Sequence, residues 1–536
     1  MKTKLYLISA FIMITYAFCS DKADAGPDII DNATNEDSIF TYHPIVPALI
    51  NRETNPILLI RARIAGNEIK KCTQISLTLK GTSNLQIIKS VSVFYTGTSN
   101  KFSAAGIFSK TEKPEKTILF NGEQVLNKGD NYFWISFTLN EKTDLSDKVD
   151  AECEYVILNN EKKLIPTALS SNYQSRIGIG LRQHGDEGVN TYRIPGLATT
   201  NKGTLIAVYD VRHNNAGDLQ GDIDIGMSRS TDGGRIWEPM KVILDMGEWS
   251  GKPQVENGVG DPSVLVDRER NTIWVAALWA HGHPEEHTWR ASKPGILPAE
   301  TGQLLLVRSD DDGLTWSEPI NITSHIKDPK WYLVLQGPGN GITKSDGTLI
   351  FPAQFKDEQQ IPFSTILYSK DHGDSWQIGT GAKPNTTEAQ VIELDNGSLM
   401  LNMRDNDRGF RSVYMSKDLG KTWVKHPTSR SALIEPTCNA SLIKGIFDIN
   451  GEKKKILLFA NPNSDKERNH MTIKISMDDG MTWPKQYWLL LDEGKGRGYP
   501  SMTQIDEKTF GILYEGSQAD LVFEKVWIEE IIEIKK

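Results

Sequence analysis

The stretch SKDLGKTW, residues 416–423, holds a serine, an aspartate, two lysines and a tryptophan in eight positions. It has the density of an active site. The same outline returns at Ser230–Trp237 (STDGGRIW), Ser309–Trp316 (SDDDGLTW), Ser369–Trp376 (SKDHGDSW) and Ser476–Trp483 (SMDDGMTW), at separations of 47 to 79 residues. A site for one substrate needs no five copies, whereas a structural unit repeated along a chain needs one copy each. The aspartate can accept from backbone N–H groups two or three residues on and pin a reversal. The glycine supplies a backbone conformation that other residues adopt only with strain, and the tryptophan buries a large ring. None of these tasks is catalytic, so the box is read as structural.

A second repeat runs beside the first. Short apolar runs begin at Leu205 (LIAVYD), Ile273 (IWVAAL), Leu349 (LIFPAQ), Leu399 (LMLNMR), Ile456 (ILLFAN) and Ile512 (ILYEG), spaced 50 to 76 residues apart. Most follow a turn signal such as Asp346-Gly347 or Asn396-Gly397. All-strand units of this length predict an all-β fold, a six-bladed β-propeller over residues 173–536. Residues 26–172 carry neither repeat. Their alternating runs at 57–65, 74–80, 90–95, 132–139 and 151–158 predict a β-sandwich, which either binds carbohydrate or braces the propeller.

The chain opens with Lys2, Lys4 and an apolar run from Leu5 to Phe18, too short to span a bilayer. This is the form of an export signal, taken here as residues 1–25, so the expected location is periplasmic, outer-surface or secreted. Cleavage fits near Ala17-Phe18-Cys19 or Ala23-Asp24-Ala25. Lipid attachment at Cys19 is disfavoured by the preceding Phe18. No later segment is long and apolar enough to cross a membrane. A net charge of −9 with mixed signs gives no reason to expect nucleic acid. Three cysteines remain beyond Cys19; Cys72 and Cys153 read as buried thiols in preference to a bridge. No CxxC, HExxH or calcium-loop spacing occurs, so neither a metal nor another cofactor is expected.

Equivalent propeller strands end on one face around the axis, and those ends deliver Asp210, Arg212, His281, Gln354, Arg404, Asp405, Asn461 and Glu515. Arg193 in YRIP and Arg468 after ANPNSDKE lie close to such strands. Several arginines at one mouth of an acidic protein suit an anionic ligand. Arginine–carboxylate pairs also brace propeller cores, so no single one of these residues is diagnostic.

The ordered set is diagnostic. YRIP, the boxes, TEAQVIELDNGSLMLNMRD (387–405), an arginine before the last box, then GYPS (498–501) and LYEG (513–516) resemble the bacterial exo-α-sialidases, or neuraminidases. The likeness covers about residues 176–536. The preceding sandwich is similar to the N-terminal domain of Bacteroides-type sialidases. The resemblance implies that Arg193, Arg404 and Arg468 clamp the sialic acid carboxylate. It places the acid/base in RHNNAGDLQGD (212–222), best matched by Asp218, with Asp222 and Asp224 also close. It implies Tyr499 as nucleophile, ahead of Tyr487 and Tyr514, with Glu388 as its base. Arg212 would lie near the substrate and Glu515 would orient Arg193. The family often has serine after this tyrosine, where Pro500 stands here.

The residue types suit the chemistry. The anomeric carbon of sialic acid bears a carboxylate, which repels an anionic nucleophile but not a phenol. A phenol needs a base, and a carboxyl group must protonate the departing oxygen. The expected activity is retaining hydrolysis of terminal α-linked sialic acids from glycoproteins, glycolipids and oligosaccharides. Two other readings stand beside it: a transferring sialidase, and a non-catalytic glycan-binding propeller, which would need the arginines but not Tyr499 with Glu388. Because every candidate catalytic residue lies beyond Arg176, the sandwich is expected to be dispensable for chemistry.

Overall fold

A computed structural model of the chain describes residues 36–112, 114–283 and 286–532; the export-signal reading and Cys19 lie outside the described residues. Two sheets form the N-terminal part. The first has strand order Thr167–Ala168, Ser38–Tyr42, Asn55–Ile64, Gly129–Leu139, Ile88–Tyr95, Ile107–Glu112. The second runs Lys162–Leu164, Glu152–Leu158, Lys70–Thr78, Thr117–Leu126. Alternation puts Ile60, Val91, Phe133 and Ile135 of one sheet against Ile75, Leu77, Phe120 and Val156 of the other in one apolar cluster. Cys72 and Cys153 are buried there as free thiols.

Six blade sheets follow among the described residues, besides a two-stranded pairing of Gly409–Phe410 with Ile434–Glu435, and the apolar runs recognised from the sequence are the second strand of each blade: Leu205–Arg212, Ile273–Trp279, Leu349–Lys356, Leu399–Asp405, Glu452–Pro462 and Thr509–Tyr514. The first five sheets close with their own strands. The sixth is completed by Ser175–Arg182, which pairs with Leu521–Trp527 and so ties the start of the propeller to its end. First strands face the axis, where their free edges need partners. Hydroxyls supply several: Ser501 Oγ accepts from Leu197 N at 2.9 Å, Thr503 Oγ1 from Thr199 N at 3.0 Å, and Ser441 Oγ from Met502 N at 2.9 Å.

The boxes are turns between the third and fourth strands of the first five blades. In the opening motif, Asp418 Oδ1 accepts from Ser416 Oγ and Thr422 N at 2.9 Å each, and Oδ2 from Thr422 Oγ1 at 2.7 Å. The backbone donors lie three or four residues on, one further than the sequence suggested, because Ser416 Oγ takes the nearer Gly420 N–H at 2.8 Å. The glycines have a second task. A Cβ on Gly234 would sit 2.2 Å from Phe523, and one on Gly373 would sit 2.3 Å from Trp274, each in the preceding blade. The boxes therefore wedge blade against blade.

Candidate active site

A cavity of about 410 Å³ opens on the axis, and all six blades reach it, through Arg193, Asp261, Gln354, Glu388, Arg468 and Tyr499 in blade order. Arg193 leaves the strand Thr191–Thr199 at an irregularity where Ile194 has φ +56°, a costly conformation for a β-branched residue. Glu515, 2% exposed, holds that distortion. Its Oε1 accepts from Arg193 Nε and Ile194 N, both at 3.0 Å, and its Oε2 from Tyr499 N at 3.0 Å. One carboxylate thus fixes Arg193 relative to Tyr499.

The Tyr499 hydroxyl donates to Glu388 Oε1 at 2.5 Å and accepts from Arg404 Nη1 at 2.9 Å. Arg404 Nη1 also donates to Glu388 Oε2 at 2.7 Å, while its Nε is buried with no partner among the described residues. The guanidinium carbons of Arg193 and Arg468 lie 5.4 and 5.5 Å from the centre of the Tyr499 ring. Burial and the neighbouring Glu388 carboxylate push the phenol well above its ordinary value of 10, against the pull of Arg404 and Arg468. The resting phenol is neutral. Arg468 comes from the loop between the second and third strands of the fifth blade. It is held by donation to the carbonyls of Arg497 (3.1 Å) and Thr437 (3.3 Å).

Asp218 sits in the loop after Leu205–Arg212, with a side chain 67% exposed. Its Oδ1 accepts from Arg212 Nη1 at 2.8 Å and Arg193 Nη1 at 3.3 Å. Partial burial raises its pKa, but the two guanidiniums outweigh that and hold it below the usual carboxylate value. Arg212, 1% exposed, also binds the Ala216 and Gly217 carbonyls and pairs with Asp210 at 2.8 Å, so it shapes the loop as well as charging it.

Every residue that the resemblance assigned lies in or directly behind this cavity. The neighbours left open do not. Asp224 pairs with His213 at 2.9 Å, and burial with nearby Asp245 pushes it up to about 7. Asp222, His213 and Asp224 bring one ligand atom each within 4.8 Å, a metal-capable grouping outside the cavity wall that no spacing rule anticipated. Tyr514 is buried against Glu524 at 2.8 Å, and Tyr487 packs among the cores of the last blades. Of the other strand-end residues, Gln354 lines the cavity, whereas His281 bonds Asn257 and Asn461 bonds the Ile434 carbonyl. Asp405 turns away to Ser412, Arg430 and Lys383.

Sequence reasoning missed two parts of the wall. Asp261 enters because its backbone has φ +60°, with its N–H on Asp210 Oδ1 at 2.8 Å and its carbonyl on Gln336. Burial, with Asp210 and Asp218 close by, pushes its carboxyl up. Leu219, Leu278, Leu333, Leu335 and Trp289 also line the cavity, an apolar part of the wall that reads in sequence as ordinary core.

Comparison with known proteins agrees with this geometry. Residues 194–483 match the BNR repeat-like domain, and residues 36–162 match the N-terminal domain of BNR-repeat neuraminidase. A sialidase of Bacteroides fragilis is 46% identical over 523 residues, spanning 92% of this chain and 96% of its own. The chain belongs to the BNR-repeat neuraminidase family. It is a sialidase of the Bacteroides type, and so a glycoside hydrolase. A Micromonospora viridifaciens sialidase is 34% identical over 344 residues, covering 62% of this chain and 51% of that one. The solved structure of the Hadza microbial sialidase Hz136 superposes with a TM-score of 0.86 at 42% identity, covering 91% of this sialidase and 99% of Hz136.

Proposed function

We propose that this sialidase is an exo-acting, retaining hydrolase of terminal α-linked sialic acids on glycoproteins, glycolipids and oligosaccharides. The observation that carries the reading is the Tyr499–Glu388 contact of 2.5 Å, with Arg404 on the same hydroxyl. A receptor would need the arginines; only catalysis needs a phenol with its own base. Arg193, Arg404 and Arg468 face the cavity from three blades and would hold the substrate carboxylate by charge-assisted bonds. The Tyr499 oxygen then attacks C2 as its proton passes to Glu388. The C2–O bond to the leaving sugar breaks, and Asp218 protonates the departing oxygen. In the second half Asp218 takes a proton from water, whose oxygen attacks C2. The tyrosine oxygen leaves and recovers its proton from Glu388. Two inversions retain configuration. Asp261 would accept from a sugar hydroxyl, and the apolar wall would pack an uncharged substituent.

Residues 1–25 are read as an export signal, which would place the enzyme in the periplasm, on the outer surface or outside the cell.

A fluorinated sialosyl fluoride tests the mechanism, because its ring fluorine slows breakdown of the covalent sugar. The intact enzyme should gain one sialosyl mass, located by digestion on the peptide carrying Gly498-Tyr499-Pro500. Mass on Glu388 or Tyr514, or no mass at all, defeats the assignment.

A further inference from the structure

The segment between the fifth and sixth blades, residues 493–498, is EGKGRG, with three glycines in six positions. The glycines let the strap lie close against the sixth blade, where a Cβ on Gly494 would sit 2.5 Å from Ser517 and one on Gly496 2.4 Å from the Glu515 carbonyl, so its course depends on its anchors. Its far end sets the site. Gly496 N donates to the Arg468 carbonyl at 3.0 Å, and the Arg497 carbonyl accepts from Arg468 Nη1 at 3.1 Å. Gly498, at φ +87°, has no room for a side chain: a Cβ there would lie 2.8 Å from Pro462 and 3.1 Å from Arg468. Tyr499 follows directly.

The near end is held from outside the propeller. Glu493 N donates to the Ile45 carbonyl at 2.8 Å, and the Tyr42 hydroxyl lies 2.9 and 2.8 Å from the two Glu493 carboxylate oxygens. Tyr42 ends the strand Ser38–Tyr42 of the N-terminal sandwich. Asp492, one residue earlier, is bound by Ser517 N and Oγ at 2.7 Å each. The strap therefore begins between three holds: the fifth blade, where Asp492 pairs with Met471, Ser517 of the sixth blade, and the sandwich.

Attachment of the two domains does not require this contact. Ala48–Leu49 pairs in parallel with Ile177 and Gly178 at the edge of the sixth blade, and Lys148–Val149 pairs antiparallel with Arg176 and Ser175 of the same strand. Lys148 reaches Glu530 at 2.8 Å. Those links hold the domains together without touching the strap.

We propose that the sandwich is a positioning element of the active site, with Tyr42 and the Ile45 carbonyl holding Glu493 so that the strap presents Arg468 and Tyr499 to the cavity. The inference rests on the reading of Tyr499 as nucleophile. It also reverses the expectation that the sandwich is dispensable for chemistry.

The test uses the full chain with Tyr42→Phe, Glu493→Ala and Glu493→Gln, reading steady-state constants and the rate of labelling by the fluorinated sialosyl fluoride. Tyr42→Phe and Glu493→Ala should label roughly 5- to 20-fold more slowly than wild type, since small misplacements of reacting groups are costly. Their melting temperatures should stay within about 2 °C, because the other interface links remain. Glu493→Gln, whose amide oxygen still accepts from Tyr42, should recover most of the rate. Wild-type labelling in Tyr42→Phe and Glu493→Ala overturns the proposal. So does equal slowing in Glu493→Gln and Glu493→Ala, or a loss of rate that merely follows lost melting temperature. If the wild-type enzyme fails to label at Tyr499, the nucleophile assignment fails instead.

Discussion

Asp218 Oδ1 accepts from Arg212 Nη1 at 2.8 Å, so the proposed acid rests against a buried cation that favours its ionised form. Arg193, 3.3 Å from the same oxygen, adds to this. Binding a substrate carboxylate changes the balance. It shares the Arg193 charge with a second carboxylate and brings that negative charge close to Asp218, and both effects raise the Asp218 pKa. The acid should therefore hold its proton to higher pH in the complex than in the free enzyme. For sialyllactose, the basic limb of kcat should lie at higher pH than the basic limb of kcat/KM. Coincident limbs would show that the carboxylate does not engage Arg193.

Arg468 probes the clamp without breaking an ion pair to Glu388 or Glu515, which hold Arg404 and Arg193. Arg468→Ala removes a charge-assisted contact at a partly desolvated site. It should cost roughly 2–5 kcal/mol of substrate capture, about 30- to several thousand-fold in kcat/KM. The melting temperature should change little, since the guanidinium's contacts among the described residues are hydrogen bonds to two carbonyls and the face of the Tyr499 ring. An unchanged kcat/KM would remove Arg468 from the clamp.

The box aspartates should respond to acid instead of to substrate. Bonds from the Thr422 N–H and hydroxyl hold the Asp418 carboxyl down to about 2. A depressed carboxylate contributes stability that is complete above its ordinary value of 3.8 and is lost as pH falls towards the folded value. Asp418→Ala should melt below wild type at pH 7, and the gap should close between about pH 4 and pH 2. Turnover by the folded variant should stay near normal. Lost activity with an unshifted melting curve would mean that the box does chemistry after all.

The sequence carried those parts of the molecule that depend on local pattern. Box turns and apolar strands are local, so the six blades could be counted. Arg193, Arg404 and Tyr499 sit in short motifs, so they could be placed. Asp405 shows the limit of reading strand ends: it neighbours Arg404, and alternation sends adjacent side chains to opposite faces, so only one of the two meets the cavity. Asp261 was illegible because its entry depends on a left-handed backbone that the residue name does not announce. Leu333 and Leu335 line the cavity beside Trp289 but look like any strand. Tyr42 was missed for a different reason. Its partner Glu493 is 451 residues away, and no pattern joins them.

Asp218 and Glu388 are both carboxylates at one cavity, and dependence on the leaving group should separate them. Asp218 lies at the exposed rim, where a departing oxygen would need a proton. Glu388 lies beneath, 2.5 Å from the phenol that must lose one. In Asp218→Ala the loss in kcat/KM, which reports formation of the covalent sugar, should be large for sialyllactose, about 10²–10⁴-fold, and small for sialosyl fluoride, whose fluoride leaves with little help. In Glu388→Gln the phenol keeps a hydrogen-bond partner but has no base, and the pKa of Tyr499 is already raised by burial. The nucleophile is then weak whatever leaves, so the loss should be similar, about 10²–10⁴-fold, with both substrates. Burst experiments on an aryl sialoside add a second check, because Glu388→Gln should slow formation of the covalent sugar, whereas Asp218→Ala should slow its hydrolysis. A Glu388→Gln enzyme that spared the fluoride would exchange the two roles, and an Asp218→Ala enzyme with equally reduced kcat/KM on both substrates would remove Asp218 as the acid.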